Sequence, residues 1–221
     1  MLNNLVLENF DESFLKSPSL IDERKKAFSN LKKIGMPNKR VENWKYTDLD
    51  NLTKSIEFKP GIINLELLNQ ESKGINVREF DYFIKNKAQY LNPIKILENE
   101  GVVYLNISYS NEAKVIEIKE IQSQPLIINI ISEGPGLSLP RLKIDVFPEI
   151  EAEIHLIYLG GEGFINQLTE VNFLGNRPAN IAAAFLENNQ LFNISFCLIR
   201  TSWPGDPLDN GVANVNPVGI D

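Results

Sequence analysis

The first hundred residues carry apolar positions at helical spacing. These positions recur at intervals of three and eight residues and would share one face of a helix: Leu20, Phe28, Leu31 and Ile34. Ser17 or Ser19 offers an N-cap, whereas Gly35 and Pro37 are typical of a helix end. We therefore predict a helix from one of these serines to about Ile34.

A second helix is predicted farther along, from Asn76 to Pro93. Glu79 follows Asn76 by three residues, which is the spacing of a capping box. The apolar positions that would share its inner face are Val77, Phe80, Ile84 and Leu91.

From Gly101 onward, the period of the pattern changes to two, which is typical of strands with one buried face. The predicted strands lie around Val102–Ile107, Val115–Ile121, Leu126–Ile131, Leu142–Val146, Ala152–Tyr158, Val171–Leu174, Ile181–Leu186 and Phe192–Leu198. The glycine-rich segment 160–163 is interpreted as a turn between two of them. This pattern predicts an all-β unit, either a sandwich or a solenoid, and periodicity does not choose between the two. The lack of a clear Asn-Gly or Asp-Gly hairpin between the strands favours a solenoid.

Charge supports a division of the chain. Residues 1–100 carry 16 Lys and Arg against 15 Asp and Glu, whereas residues 101–221 carry 6 against 14. We predict an N-terminal helical region over 1–97, a β-unit over 98–200 and an irregular tail over 201–221. Several prolines and glycines in that tail leave no room for a strand in this interpretation.

Composition excludes several classes of protein. One Cys and one His in 221 residues cannot supply a Cys₂His₂ zinc site or a thiolate-bound cluster from this chain alone. A formal charge of -7 argues against nucleic-acid binding. The sequence shows neither a secretory signal nor an apolar run long enough for a membrane, so we expect a cytoplasmic protein without a membrane partner. His155 is interpreted as a surface histidine and Cys197 as a small residue in a sheet.

One segment combines aromatic and charged residues densely after the first helix. It comprises Arg40, Glu42, Asn43, Trp44, Lys45, Tyr46 and Thr47. Trp44 and Tyr46 are two apart and would project from one side of an extended segment. We interpret it as a structural anchor whose two rings fix the helical region on the sheet.

The same segment carries a family resemblance. Met36-Pro37-Asn38-Lys39-Arg40 followed by 42–47 resembles the opening motif of the SufB/SufD family, and is most similar to its SufD branch. Leu137-Ser138-Leu139-Pro140-Arg141 and Thr169-Glu170-Val171 resemble two later segments of that family. The resemblance implies a helical region followed by a right-handed parallel β-helix, incomplete at its C-terminal end and thus a truncated form.

The resemblance also implies a function. Members of this family are scaffold subunits of iron–sulfur cluster assembly, with SufB and the SufC-type ATPase as partners. It carries over no catalytic, metal-binding or cofactor-binding residue, so we expect a non-enzymatic scaffold that binds no cofactor alone. The cluster and ATP belong to the assembled complex.

Two alternatives from other classes remain open. One is a β-solenoid enzyme acting on carbohydrate, with acids drawn from Asp145, Glu151, Glu153 and Glu162. In that case we expect clustered carboxylates in a groove, whereas alternation on a solvated face predicts the same residues without any site. The other is an interaction module in which an exposed end coil pairs with a second copy as a homodimer.

Overall fold

The structure is a computed structural model of the 221-residue chain. It describes residues 10–15, 20–41, 44–46, 49, 58–69, 72–79, 99–110, 112–174, 180–201 and 211–218, the last two segments by their backbone.

Helix α1 spans Ile21–Ile34 and confirms the first predicted helix. Leu20 precedes it in the left-handed region at φ 62°, and Gly35 follows it at φ 76°. Its inner face is formed by Arg24, Ala27, Phe28 and Leu31. The predicted serine caps lie outside the described residues.

Helix α2 spans Gly101–Tyr109, where the sequence predicted a strand at Val102–Ile107. That prediction was wrong because every residue of α2 is buried. An element surrounded by protein on all sides has no polar face, so its sequence shows neither a period of 3.6 nor a period of two.

The sheet contains nine strands among the described residues. They are β1 Ile62–Leu68, β2 Ile75–Glu79, β3 Glu112–Ile118, β4 Leu126–Glu133, β5 Leu137–Ser138, β6 Pro140–Val146, β7 Glu153–Phe173, β8 Asn180–Thr201 and β9 Gly211–Val218. The second predicted helix is wrong over Asn76–Glu79, which form part of β2, and its remaining positions lie outside the described residues.

The predicted fold class, a helical region followed by a right-handed parallel β-helix, is wrong. The strands form one mixed sheet in the order β1-β4-β7-β6-β3-β2, which curls as a half-barrel. β3, β4, β6, β7 and β8 make parallel pairs, but β1·β4, β2·β3 and β8·β9 are antiparallel. Alternation in a sequence reports which side chains face a core and does not report the direction of pairing, so it could not exclude this mixture.

The interpretation of residues 160–163 as a turn is also wrong, because β7 runs through them. The first part of β7 pairs with β4 and the second part with β6, and the register with β8 shifts between Gly160 and Glu162. Gly163 has φ 106°, and a Cβ there would lie 2.9 Å from the carbonyl oxygen of Gly134. The glycines therefore form a bulge at which one strand passes from one partner to another.

The tail was predicted to lack strands, but Gly211–Val218 forms β9, antiparallel to β8. Among the described strands β9 pairs only with β8, and an edge strand tolerates a proline such as Pro217 because half of its N–H groups need no partner strand. The three-part domain division itself stays a prediction.

Two apolar clusters fill the structure. One is formed mainly by side chains of the strands, such as Ile128 of β4, Ile144 of β6 and Leu156 of β7. The other joins the helices to the sheet and contains Leu31, Trp44 and Leu105. Tyr109 lies at its centre, within 6 Å of four phenylalanine rings: Phe10, Phe14, Phe28 and Phe58.

Candidate functional site

The aromatic segment after α1 has one ring in the core and one ring in solvent. Trp44 is 2% exposed and belongs to the helix-side cluster, whereas Tyr46 is 90% exposed. The prediction that both aromatics are buried is therefore wrong for Tyr46. Glu42, Asn43 and Thr47 lie outside the described residues, and the role of the whole segment as an anchor stays a prediction.

Local turns direct Trp44 inward. The side-chain oxygen of Asn38 accepts a hydrogen bond from the backbone N–H of Arg40 at 2.9 Å. The backbone carbonyl of Asn38 accepts another from the N–H of Val41. The carbonyl of Val41 then accepts from the N–H of Trp44 at 2.8 Å. Because these hydrogen bonds join residues two and three positions apart, the described residues here do not form the extended segment in which residues two apart share a side.

The indole of Trp44 contacts the beginning of α2. Its Nε1 donates to Oε2 of Glu100 at 3.0 Å, and the Glu100 carbonyl accepts from the N–H groups of Val103 and Tyr104. Glu100 is the N-cap residue of α2, so its carboxylate lies near the positive end of the helix dipole. This one contact joins the aromatic segment to the buried helix.

The two helices meet through backbone at the same place. A Cβ on Gly101 would overlap the carbonyl oxygen of Gly35 and lie 2.9 Å from its carbonyl carbon. The end of α1 and the start of α2 therefore touch at a distance that only glycine permits. Arg24 of α1 adds a second connection, donating from Nη1 to the carbonyl of Ser110 at 3.2 Å, just after α2.

The described neighbours of Trp44 in the sequence are exposed and include the cationic side chains of Arg40 and Lys45. Lys45 Nζ lies 5.0 Å from the centre of the Tyr46 ring, within the range of a cation–π contact. Val41 is 42% exposed, and the side chain of Arg40 is exposed as well. Tyrosine and arginine are enriched at protein–protein interfaces, so this segment has the composition of a contact surface.

The acids named for a carbohydrate-active enzyme have other partners. Asp145 accepts from Lys143 at 3.0 Å and from Asn172 at 2.6 Å, while Glu153 accepts from His155 at 2.8 Å. Glu151 is exposed, and the side chain of Glu162 is outside the described set. The described contacts of Asp145 and Glu153 therefore join an acid to a cation, an amide or an imidazole.

A buried polar row on β6 and β7 was missed by the sequence interpretation. Arg141 Nη2 donates to Glu170 Oε1 at 3.0 Å with both side chains at most 4% exposed, and Lys143 beside them is 2% exposed. Alternation had suggested a solvated face for Asp145, which is 8% exposed. The available signal was that Arg141 and Lys143 on β6 are balanced by two acids, Glu170 on β7 and Asp145 on β6, because buried charges need partners of opposite sign.

His155 and Cys197 lie apart from these features. His155 is about one third exposed on β7, in keeping with its interpretation as a surface histidine. Cys197 lies on β8 opposite Thr169 of β7. Within the described ranges, no three His, Cys, Asp or Glu residues gather as a metal site would require.

No helix in the described part of the chain is long and apolar enough to span a membrane.

Residues 11–114 match the family described as the SufBD protein N-terminal region. The matched range begins just before the turn at Glu12–Phe14 and contains α1, the Trp44 segment and α2. No curated protein matches the chain.

Proposed function

Because the chain belongs to the SufB/SufD family, whose members take part in iron–sulfur cluster assembly, we propose that it is a SufD-like scaffold subunit. The observation that carries the proposal is that the matched range contains the residues that join the two helices. Trp44, Glu100 and Gly101 all lie within it. The SufD branch is favoured by the residues from Met36 to Thr47, which are most similar to that branch.

The proposed partners are a SufB-type subunit and a SufC-type ATPase. In such a complex the iron–sulfur cluster is the cargo, and ATP is hydrolysed by the ATPase. This chain would act by holding partners in place and would catalyse no step itself. The contacts of these buried acids support this role: Glu170 of β7 pairs with Arg141 of β6, and Asp145 of β6 accepts a hydrogen bond from Asn172 of β7, so both acids take part in joining the two strands.

The contact surface around Tyr46 is the part of the junction best suited to a partner. Its residues are exposed while Trp44 beneath them is buried, so a partner would meet a surface supported by the core. Exposed aromatic and cationic side chains over a rigid base are typical of interface hot spots.

Co-expression with the SufB-type and SufC-type proteins of the same organism tests the proposal. We expect a tagged form of this chain to retain both proteins through affinity purification and size-exclusion chromatography in a fixed ratio. We also expect anaerobic reconstitution with iron and sulfide to give more cluster absorbance with the chain than without it. Absence of both proteins from the purified fraction would refute the scaffold role.

A pair of exposed-residue variants locates the contact. Tyr46→Ala removes a ring that is 90% exposed, and Ile121→Ala removes a 65% exposed side chain from the loop after β3. Neither change touches the core, so both variants are expected to fold. We expect the first to lower the recovered partner and the second to leave it unchanged. Equal recovery with both variants would remove the contact from Tyr46 while leaving the scaffold role to the co-purification result.

A further inference from the structure

Strands β1 and β4 and the first part of β7 have two faces of different character. Residues that alternate along them, such as Leu65, Ile128 and Leu156, belong to the apolar cluster formed by the strands. The residues between them project from the opposite face, because successive side chains of a strand alternate. The pairing registers place these residues in three adjacent columns, here named the outer face: Ile62, Asn64, Glu66 and Leu68 of β1, Ile127, Asn129, Ile131 and Glu133 of β4, and Glu153, His155, Ile157 and Leu159 of β7.

Half of the outer-face side chains are apolar, and none of them is buried. On β1, Ile62 is 65% exposed and Leu68 is 46% exposed. On the two neighbouring strands, Ile127, Ile131 and Ile157 are partly exposed. Positions opposite each other on paired strands lie about 5 Å apart, so these side chains form one patch. Exposed apolar patches with a polar rim are typical of interaction sites.

Acidic residues lie on three sides of this patch. Glu153 precedes it along β7, Glu133 follows it along β4, and Glu66 lies beside it on β1. All three are exposed, and no outer-face position holds a lysine or an arginine. On this face, Glu66 contacts the amide of Asn64, and Glu153 contacts the imidazole of His155. The outer face is therefore complementary to an apolar segment with cations along its margins.

The dimensions of the outer face match one helix. Strands lie about 4.8 Å apart, so three columns span about 10 Å, which is the diameter of an α-helix. Because Leu126 pairs with Ile154, Glu153 lies level with Pro125, and Glu133 lies eight residues farther along β4. This separation is about 26 Å, the length of a helix of about 17 residues.

We propose that the outer face binds a basic amphipathic helix of a partner protein. The apolar side of the helix would cover Ile127, Ile131 and Ile157, and its lysines or arginines would lie beside the three glutamates. This inference does not depend on the proposed function and uses none of the residues around Tyr46.

Other occupants fit the outer face less well. Two copies of this face would set three carboxylates against three, and like charges across an interface are unfavourable. Helix α1 of a second copy has lysines on its exposed side, but its Phe28 and Leu31 are already buried in its own core. An anionic membrane would meet the same carboxylates.

Binding of a designed peptide to the full chain tests the proposal. The probe is a fluorescein-labelled peptide of about 17 residues with leucine at positions i, i+3, i+4 and i+7 and lysine elsewhere. One control peptide has the same composition with leucine and lysine alternating as in a strand, and another has glutamate in place of lysine. We expect fluorescence anisotropy to show binding of the helical lysine peptide alone, with a dissociation constant that rises with salt. No binding of that peptide, or equal binding of either control, would overturn the proposal.

A pair of lysine variants locates the binding. Asn129 lies at the centre of the outer face, opposite Ile157, whereas Asn76 is exposed on β2 at the other end of the strand order. Neither asparagine is buried, so Asn129→Lys and Asn76→Lys are both expected to fold. We expect Asn129→Lys to raise the dissociation constant of the peptide about tenfold or more, and Asn76→Lys to change it less than about twofold.

The same variants distinguish the other occupants. Equal effects of Asn129→Lys and Asn76→Lys would remove the binding from the outer face. A dimer in sedimentation velocity that Asn129→Lys alone disperses would assign the face to a second copy. Co-sedimentation of the chain with phosphatidylglycerol vesicles would assign it to a membrane. Each of these three results would overturn the proposal.

Discussion

Replacement of Gly101 by alanine is expected to destabilise the protein, against the usual effect of such a change in a helix. Alanine exceeds glycine in helix propensity by about 0.8–1.0 kcal/mol, so an unobstructed site in α2 would gain stability. Gly101 lies in helical conformation, but its Cβ would overlap the carbonyl of Gly35. Backbone atoms at the end of α1 cannot rotate away, so the two helices must separate or tilt. Overpacking of this kind costs about 1–3 kcal/mol, occasionally more, and exceeds the gain in propensity.

Urea unfolding followed by circular dichroism measures the effect. We expect the midpoint of Gly101→Ala to fall without a change in slope, which corresponds to a net loss of up to about 2 kcal/mol in the free energy of unfolding once the gain in helix propensity is subtracted. Gly134→Ala is the matched control, because a Cβ there meets nothing within 4 Å while its φ is 73°. It reports the cost of backbone strain alone, about 1 kcal/mol. An unchanged or raised midpoint for Gly101→Ala would refute the close approach of the two helices.

Two further predictions concern buried polar groups. Glu170→Gln leaves the Arg141 guanidinium without its carboxylate and should lower the free energy of unfolding by about 3–5 kcal/mol, whereas the double variant Arg141→Met with Glu170→Leu should recover most of it; equal losses in both would contradict this. Burial raises the pKa of Tyr109 from 10.0 to about 12, with a smaller opposing effect from its hydrogen bond to the backbone of Asp11. Because the neutral phenol is favoured in the folded state, its contribution is present below pH 10 and lost as the pH rises through 12. Tyr109→Phe should therefore show a shallower loss of stability over pH 10–12 than the unmodified chain, and identical profiles would contradict the assignment.

The sequence predicted those elements that have one solvent-exposed face and one buried face. Helix α1 has lysines on its exposed face and Phe28 and Leu31 on its buried face, so its period was visible. The strand at Ile154 alternates with exposed Glu153 for the same reason. Helix α2 and the polar row of β6 are covered on every side, so their sequences carry no contrast between faces. Their burial depends on elements that approach from elsewhere in the chain, as Asn106 shows by donating to the carbonyls of Pro140 and Asn166.

The candidate site was predictable in residue content but not in geometry. The chain from Arg40 to Tyr46 was singled out by composition, yet its two rings were placed on one side because an extended backbone was assumed. The hydrogen bond accepted by the side chain of Asn38 forms a turn, so the backbone is not extended there. The contact of Trp44 with Glu100 arises only when the chain folds. Fifty-six residues separate these two, a distance over which no local pattern reports contact.

Glycine was the signal most open to misinterpretation, because close packing and chain reversal require the same residue. Gly163 ends the glycine-rich segment 160–163, whose composition predicts a turn, yet β7 passes through that segment. A turn requires glycine only because of its backbone angles. Close packing requires glycine because a Cβ would collide with a neighbouring backbone atom, for example one at 2.9 Å. Gly163 meets both conditions, with φ 106° and the carbonyl of Gly134 at that distance, and Gly136 meets the backbone of Lys59 in the same way. Gly134 and Gly136 lie between β4 and β5, and both approach Gly163 of β7 closely. This close approach therefore coincides with the place at which β7 exchanges β4 for β5 and β6 as its partner, and a side chain at Gly163 would obstruct it.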